Sequence, residues 1–402
     1  MPTNIHLTKL RRRALRAIVG AGACLVAIGA AAQTSEPLRV GIITELSGAN
    51  ADFGRQAQQV LQLYMKEHGD TVAGRKVELL FRDAPGASPE IARRDAQGLI
   101  ARDKVAFIGG FGFTPNAMAV APIVTAAKKP MIIMNTAATS VITTMSPFIA
   151  RMSFTLPQVT QPLAEWAAKN GIRNVYTIVT DFGPGVDAEK MFVKTFEAAG
   201  GKVIGTVRTP VANPEFGPFL QRARDAKPDA IFAFNPGGDQ AVQFVKAYAE
   251  RGLAKDGIKL LTTGDIVDDA ILDKMGDTAL GLISSHHYSM AHDSPANKAY
   301  VAAYKKAYGA DARTSFYGVG SWDGMAAIYE VARRLNGPID GEKAMKILCS
   351  LKLESPRGPI SFDENCDIVQ NVYIRRVERR DGQLYNIEFA TFTGVKDPGK
   401  AK

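Results

Sequence analysis

A strand–turn–helix–strand pattern occurs twice in this chain, once in each half, and it confines the fold to two similar α/β units. The first copy runs from an apolar strand at 77–82 through Ser88-Pro89-Glu90 into a helix, then to a strand at 105–108. The second runs from 203–208 through Asn213-Pro214-Glu215 to 230–234. In both, 17 residues separate the Ser or Asn from the start of the next strand. Ser or Asn as a helix N-cap, followed by Pro, satisfies free N–H groups and presets φ. Elsewhere apolar, β-branched runs of four to seven residues alternate with amphipathic stretches of 12 to 16, the pattern of parallel strands joined by crossover helices. The expected fold class is α/β, with two doubly wound lobes. Such lobes bind ligands beyond the carboxyl ends of their strands, so a facing pair forms a cleft that closes on a small molecule.

The first 32 residues carry Lys9, Arg11, Arg12, Arg13 and Arg16, then the apolar stretch 17–30, then Ala30-Ala31-Ala32. This is an expected secretory signal peptide, 1–32, which places the mature protein in the periplasm. Its apolar run is shorter than the ~20 residues a membrane span needs. Ala21-Gly22-Ala23 before Cys24 lacks the leucine of a lipoprotein signal, and the paired arginines leave both Sec and twin-arginine export open. Five basic charges of the formal +9 belong to this leader, after which 44 Lys and Arg face 40 Asp and Glu. With no basic run interleaved with aromatics, nucleic acid is not an expected partner. About 370 residues remain, at 46% hydrophobic content for the chain, enough for two domains. Cys349 and Cys366, 17 residues apart, either pair in an oxidising compartment or stand as two buried thiols.

Enzyme signatures are missing: there is no Gly-x-Ser-x-Gly elbow, P-loop, Cys-x-x-Cys or two-His metal helix. Gly109-Gly110-Phe111-Gly112-Phe113 lacks the third glycine of a dinucleotide loop and reads as backbone that approaches a ligand or neighbour closely. His286-His287, with His292 and Asp293, holds metal-ligating types, but neighbours on a strand point to opposite faces, so neither a metal nor a cofactor is expected. One of the pair is expected to face the cleft; His287 is counted among the ligand-binding candidates, and the choice between it and His286 stays open. Asp265, Asp268 and Asp269 form an acidic cluster, read as a solvated helix start or a cation site.

The loops after the apolar strands are the better constellation. They are Phe113-Thr114-Pro115, with Thr114 read as an N-cap, Ala137-Ala138-Thr139-Ser140, Asp181-Phe182-Gly183-Pro184-Gly185, and Asn235-Pro236-Gly237-Gly238. Four helix N-termini then aim into one cleft and suit a carboxylate, with the Thr114 and Thr139 hydroxyls as extra donors. Asp265, after the next strand, suits a cationic group such as an α-ammonium. Phe53, Phe113, Phe182 and Tyr317 wall a side-chain pocket or belong to the core.

Several stretches appear in a specific order: Val40-Gly41-Ile42 through Ser47-Gly48 and Phe53-Gly54, then 104–109, Ala138-Thr139, Gly200-Gly201-Lys202-Val203, Pro228-Asp229-Ala230, 304–309 and 358–363. Together they resemble the periplasmic leucine/isoleucine/valine-binding protein family, the type I solute-binding subunits of ATP-driven importers. The resemblance covers essentially the whole chain after the leader. It implies that the loops at Phe113-Thr114 and Ala137 to Thr139 hold the ligand's carboxylate and amino group, opposite Phe182, Asn235 and Asp265. It also implies aromatic contacts from Phe53 and Tyr317, and permease and ATPase subunits as partners.

This chain departs from the family pattern at Phe113-Thr114, where a serine is usual, at Met134-Asn135-Thr136 and at His286-His287. The ligand expected is a branched-chain amino acid or related carboxylate, with aromatic carboxylates or amides as the alternative. The receptor is expected to be a monomer that does no covalent chemistry. Its lobes are placed at 37–154 plus 287–360 and at 155–286 plus 361–396, with crossings near Ser153, Ser285 and Phe362. A doubly wound enzyme and a sensor domain are the rival classes.

Overall fold

The computed structural model describes residues 36–48, 50–138 and 141–400; the expected leader and the Thr139-Ser140 pair lie outside the described residues. Six strands, β1 (Leu38–Thr44), β2 (Thr71–Val72), β3 (Arg75–Asp83), β4 (Phe107–Gly110), β5 (Met131–Ile133) and β6 (Ile149–Arg151), form one sheet in the order β2-β3-β1-β4-β5-β6. The second sheet takes β7 (Asn174–Thr180), β8 (Lys202–Thr209), β9 (Ala230–Phe234), β10 (Lys259–Thr263), β11 (Ile283–His286), β12 (Leu353–Ser355), β13 (Gly358–Phe362) and β14 (Ile368–Arg380). Its order is β12-β13-β14-β11-β10-β9-β7-β8, and β15 (Gln383–Val395) pairs with β14.

The runs β3-β1-β4-β5-β6 and β11-β10-β9-β7-β8 are parallel, whereas β14 joins β11 antiparallel; β4 and β9 are buried along their whole length because crossover helices cover both faces. In the first sheet β1 lies between β3 and β4; in the second β7 lies between β8 and β9. Each sheet therefore reverses its winding beside its first long strand. The crevice beyond the carboxyl ends at such a reversal is where doubly wound folds place ligands.

Three local readings need correction. Ser88 does occupy the N-cap of helix Pro89–Ala101, but its hydroxyl donates to the Pro85 carbonyl and makes no capping bond. In the second copy Asn213 adopts φ 46°, a left-handed turn residue, so the helix starts only at Phe216, after Glu215. Thr114 is the first residue of helix Thr114–Ala127, not its cap; Phe113 precedes it in extended conformation. That leaves the Thr114 hydroxyl uncommitted to the backbone.

Helix Phe316–Leu335 begins where the Ser315 hydroxyl accepts the Tyr317 N–H at 3.1 Å. Gly320 lets this helix press on the end of β5, since a Cβ there would fall 2.1 Å from the Met134 carbonyl oxygen. At the C-terminus Asp381-Gly382 forms a hairpin between β14 and β15, with φ of 49° at Asp381 and 80° at Gly382, the conformation of a tight primed turn.

Buried ion pairs knit the segments between the sheets. Arg151, at the end of β6, meets Asp367 at 2.9 Å, both fully buried. The same guanidinium donates to the carbonyls of Ala138 (2.7 Å) and Thr136 (3.2 Å). Arg357 pairs with Asp323 at 2.9 Å and donates to the carbonyls of Ser153 and Met152. Cys349 and Cys366 form a disulfide, with Cα atoms 4.8 Å apart, which settles the two open readings of these thiols.

Candidate functional site

A narrow slit lies between the carboxyl ends of the two sheets. Residues after β4 and β5 supply one side: Gly112, Phe113, Thr114, Asn135 and Ala137. Residues after β7, β9 and β10 supply the other: Phe182, Pro184, Pro236 and Asp265, with Phe234 at the last position of β9. Phe316 and Tyr317 enter from the first turn of the long helix, and Phe154 from the segment joining β6 to the next helix. Six aromatic rings thus surround one slit. They pack edge and face: Phe316 on Tyr317 at 4.5 Å, Phe154 on Phe316 at 5.7 Å, Phe182 on Phe234 at 6.0 Å between centroids. Flat, rigid walls of this kind favour a flat apolar guest.

The polar groups of the slit are unfinished. Thr114 Oγ1, Asn135 Oδ1 and Asp265 Oδ2 are buried and have no hydrogen-bond partner. Thr114 stands in the first turn of a 14-residue helix, where backbone N–H groups are free and the helix dipole is positive. A carboxylate placed there meets donors that replace its lost water. Gly112 brings the loop against Glu45: its N–H donates to Glu45 Oε1 at 3.1 Å, and a Cβ on Gly112 would fall 2.3 Å from Glu45 Oε2. Burial pushes the Glu45 carboxyl up to about 7, against the pull of its own backbone N–H, the Thr44 hydroxyl and Gly112.

On the opposite wall burial pushes Asp265 up to about 6, partly offset by the Thr263 hydroxyl, its own N–H and the Arg375 charge. His286 and His287 are fully buried behind it, and none of their four ring nitrogens has a partner. Burial, with Arg375 nearby, holds His286 well below the ordinary imidazole value; burial, with His286 beside it, does the same for His287. The expectation that these rings diverge is overturned: β11 ends at His286, the pleat does not continue, and the two ring centroids lie 4.3 Å apart. Both rest on Phe154, at 4.6 and 4.8 Å.

Of the residues expected at the site, Phe113, Thr114, Ala137, Phe182, Asp265 and Tyr317 line the cavity. Phe53 stacks on the far face of Tyr317 at 4.1 Å. Asn235 is buried under its loop, with Oδ1 accepting the Gly237 N–H at 3.1 Å and Nδ2 unpartnered. Ala138 gives its carbonyl to Arg151, His287 lies behind Phe154, and Thr139 is outside the described residues. Asp269 turns away from the slit and accepts the Met290 and Asn386 N–H groups, at 3.0 and 3.3 Å, while Asp268 lines a neighbouring groove with Phe53, Gln56 and Lys274. No group of three or more metal-ligating side chains occurs among the described residues. Sequence reasoning missed Glu45, Asn135, Phe154, Phe234 and Phe316. Glu45 carried a usable signal, an acidic residue directly after the buried run Val40-Gly41-Ile42-Ile43-Thr44.

Two doubly wound sheets whose switch points share one aromatic slit define a two-lobed solute-binding protein. The chain belongs to the periplasmic binding protein family, whose model it matches over residues 37–383. It is 41% identical over 374 residues to Leu/Ile/Val-binding protein homolog 6 of Brucella melitensis, covering 92% of this chain and 96% of that protein. It is 49% identical to a solute-binding protein of an ABC transporter from Rhodopseudomonas palustris BisB5, solved in complex with 3,4-dihydroxybenzoic acid (TM-score 0.87; 91% of this chain, 99% of that one). Another from Rhodopseudomonas palustris HaA2, solved with p-hydroxybenzoic acid, is 42% identical (TM-score 0.88; 91% and 100%).

Proposed function

We propose that this chain is the exported receptor of an ABC importer and that it closes on a small aromatic carboxylate. The observation that carries the ligand class is the slit itself, six aromatic side chains with an unpartnered Thr114 hydroxyl at a helix N-terminus. A benzoate-like acid matches both halves of that description: the ring stacks between the walls and the carboxylate takes the free donors. The two similar proteins solved with hydroxylated benzoic acids support the same class.

A ligand touching both walls stabilises the closed arrangement over an open one, and a membrane permease reads that difference. The lobes that move are 37–154 with 287–360 and 155–286 with 361–396, acting as a monomer in the periplasm after removal of the leader. Nothing in the slit needs to react; its work is binding. A branched-chain amino acid is the second reading, favoured by the Asp265 carboxylate as a partner for an α-ammonium and by the name of the Brucella relative. Calorimetric titration of the mature protein with benzoate and with leucine decides between them. Saturable one-to-one binding of benzoate and none of leucine is expected, and the reverse result rejects the aromatic reading.

A further inference from the structure

We propose that the Asp265 end of the slit is built to read a hydroxyl group on the ligand's ring, so that the receptor takes ring-hydroxylated benzoates in preference to benzoate; this rests on the aromatic-carboxylate reading. Asp265 Oδ2 and His286 Nε2 stand 3.9 Å apart, and neither has a hydrogen-bond partner. That gap is too wide for a direct hydrogen bond, yet a single oxygen about 2.8 Å from each atom closes it. The oxygen would donate to the carboxylate and accept from the imidazole N–H. A phenolic hydroxyl has that one donor and that acceptor capacity, whereas an ammonium has no acceptor and a bare ring edge has neither.

The pair is also held still. His286 packs edge-on against Phe154 and Phe316, each at 4.6 Å, and both of these rings line the cavity. Arg375 is occupied elsewhere: its guanidinium donates to the Ser284 hydroxyl at 3.0 and 3.2 Å and to the Tyr288 carbonyl. It does not take up the open oxygen of Asp265. A ligand without the hydroxyl leaves two buried polar atoms unpaired, which is how binding sites reject analogues lacking a polar group.

Geometry also selects the ring position. The Thr114 donors belong to the wall built by the first sheet and Asp265 to the wall built by the second, so the proposal sets the hydroxyl across the ring from the carboxylate. Position 4 satisfies this; at position 2 the hydroxyl lies beside the carboxylate and cannot reach Asp265.

The test is calorimetric titration of wild type, Asp265→Leu and His286→Phe with benzoate, 2-hydroxybenzoate and 4-hydroxybenzoate. Wild type is expected to bind 4-hydroxybenzoate at least roughly tenfold more tightly than the other two. Asp265→Leu should abolish that preference, bringing the affinities for 4-hydroxybenzoate and benzoate within about threefold of each other in the variant. His286→Phe keeps the ring packing and should also cut the preference, so it carries the test if Asp265→Leu does not fold. Equal wild-type affinities for benzoate and 4-hydroxybenzoate, or a preference that survives in His286→Phe, overturn the hydroxyl assignment and leave the aromatic reading standing. Failure of all three acids to bind wild type overturns that reading and this inference with it.

Discussion

Glu45 offers a direct test of the electrostatics under the cleft. The residue follows β1, is fully buried, and accepts from the Gly112 N–H at 3.1 Å and the Thr44 hydroxyl at 3.2 Å. Burial raises its carboxyl from 4.5 to about 7, with repulsion from Asp83 adding to the effect. The folded protein therefore holds the proton more tightly than the unfolded chain does. Each pKa unit is worth about 1.4 kcal/mol, so the shift amounts to about 3 kcal/mol. The sign follows: this stabilisation is complete below pH 4.5 and is lost as pH rises through 7.

Replacement by Gln keeps an oxygen for the Gly112 N–H and removes the ionisation. Urea unfolding of wild type and Glu45→Gln from pH 4 to pH 9 isolates the effect, because every other group titrates alike in both proteins and cancels in the difference. The variant should gain about 3 kcal/mol on wild type between pH 4.5 and 8, and a difference that stays flat with pH refutes the reasoning. A ligand carboxylate bound beside Gly112 adds a second negative charge near Glu45 and raises its pKa further. Binding near neutral pH should then take up a proton, seen as a heat that changes between phosphate and Tris buffers in wild type and not in Glu45→Gln.

The fold was legible because its signals are local. Pro at a helix start and β-branched runs marked elements such as the helix that begins at Pro89, and an Asp-Gly pair such as Asp381-Gly382 specifies its own turn. Half of the cavity wall was legible for a related reason: in a parallel sheet the residues after each strand must gather at one edge, so Phe113, Thr114, Ala137, Phe182 and Asp265 follow from strand positions alone. What escaped depends on contacts between distant segments. Phe154 earns its place by meeting His286 and Phe316, more than a hundred residues away in the chain. Phe316 was lost because Gly318 and Gly320 disguise the first turn of its helix, and they are there for close approach to Met134 and Thr314. The histidine pair was misjudged because strand alternation was assumed one residue past the end of β11.

Three further measurements probe the scaffold and the anion end. Thr114→Val removes the free hydroxyl and should weaken binding of an aromatic carboxylate roughly tenfold without lowering stability; an unchanged affinity places the carboxylate elsewhere. Replacing Cys349 and Cys366 by Ser opens a loop whose ends are 17 residues apart and should cost about 3 kcal/mol in denaturant unfolding, matched by wild type under reducing conditions. The third concerns Asp367, which is fully buried and meets Arg151 at 2.9 Å and Lys400 at 2.5 Å. Asp367→Ala strands a buried guanidinium without its counter-charge and should cost about 3–5 kcal/mol, whereas Arg151→Met with Asp367→Leu, which removes those two charges and leaves Lys400 only Asp363 at 3.8 Å, should recover part of that loss. Affinity should not recover with stability, because Arg151 also holds the carbonyls of Thr136 and Ala138, and with it gone the loop at Ala137 is free to move. A double variant that regains wild-type affinity would show that the loop holds its shape without the pair, and that the buried charges serve only the packing between segments.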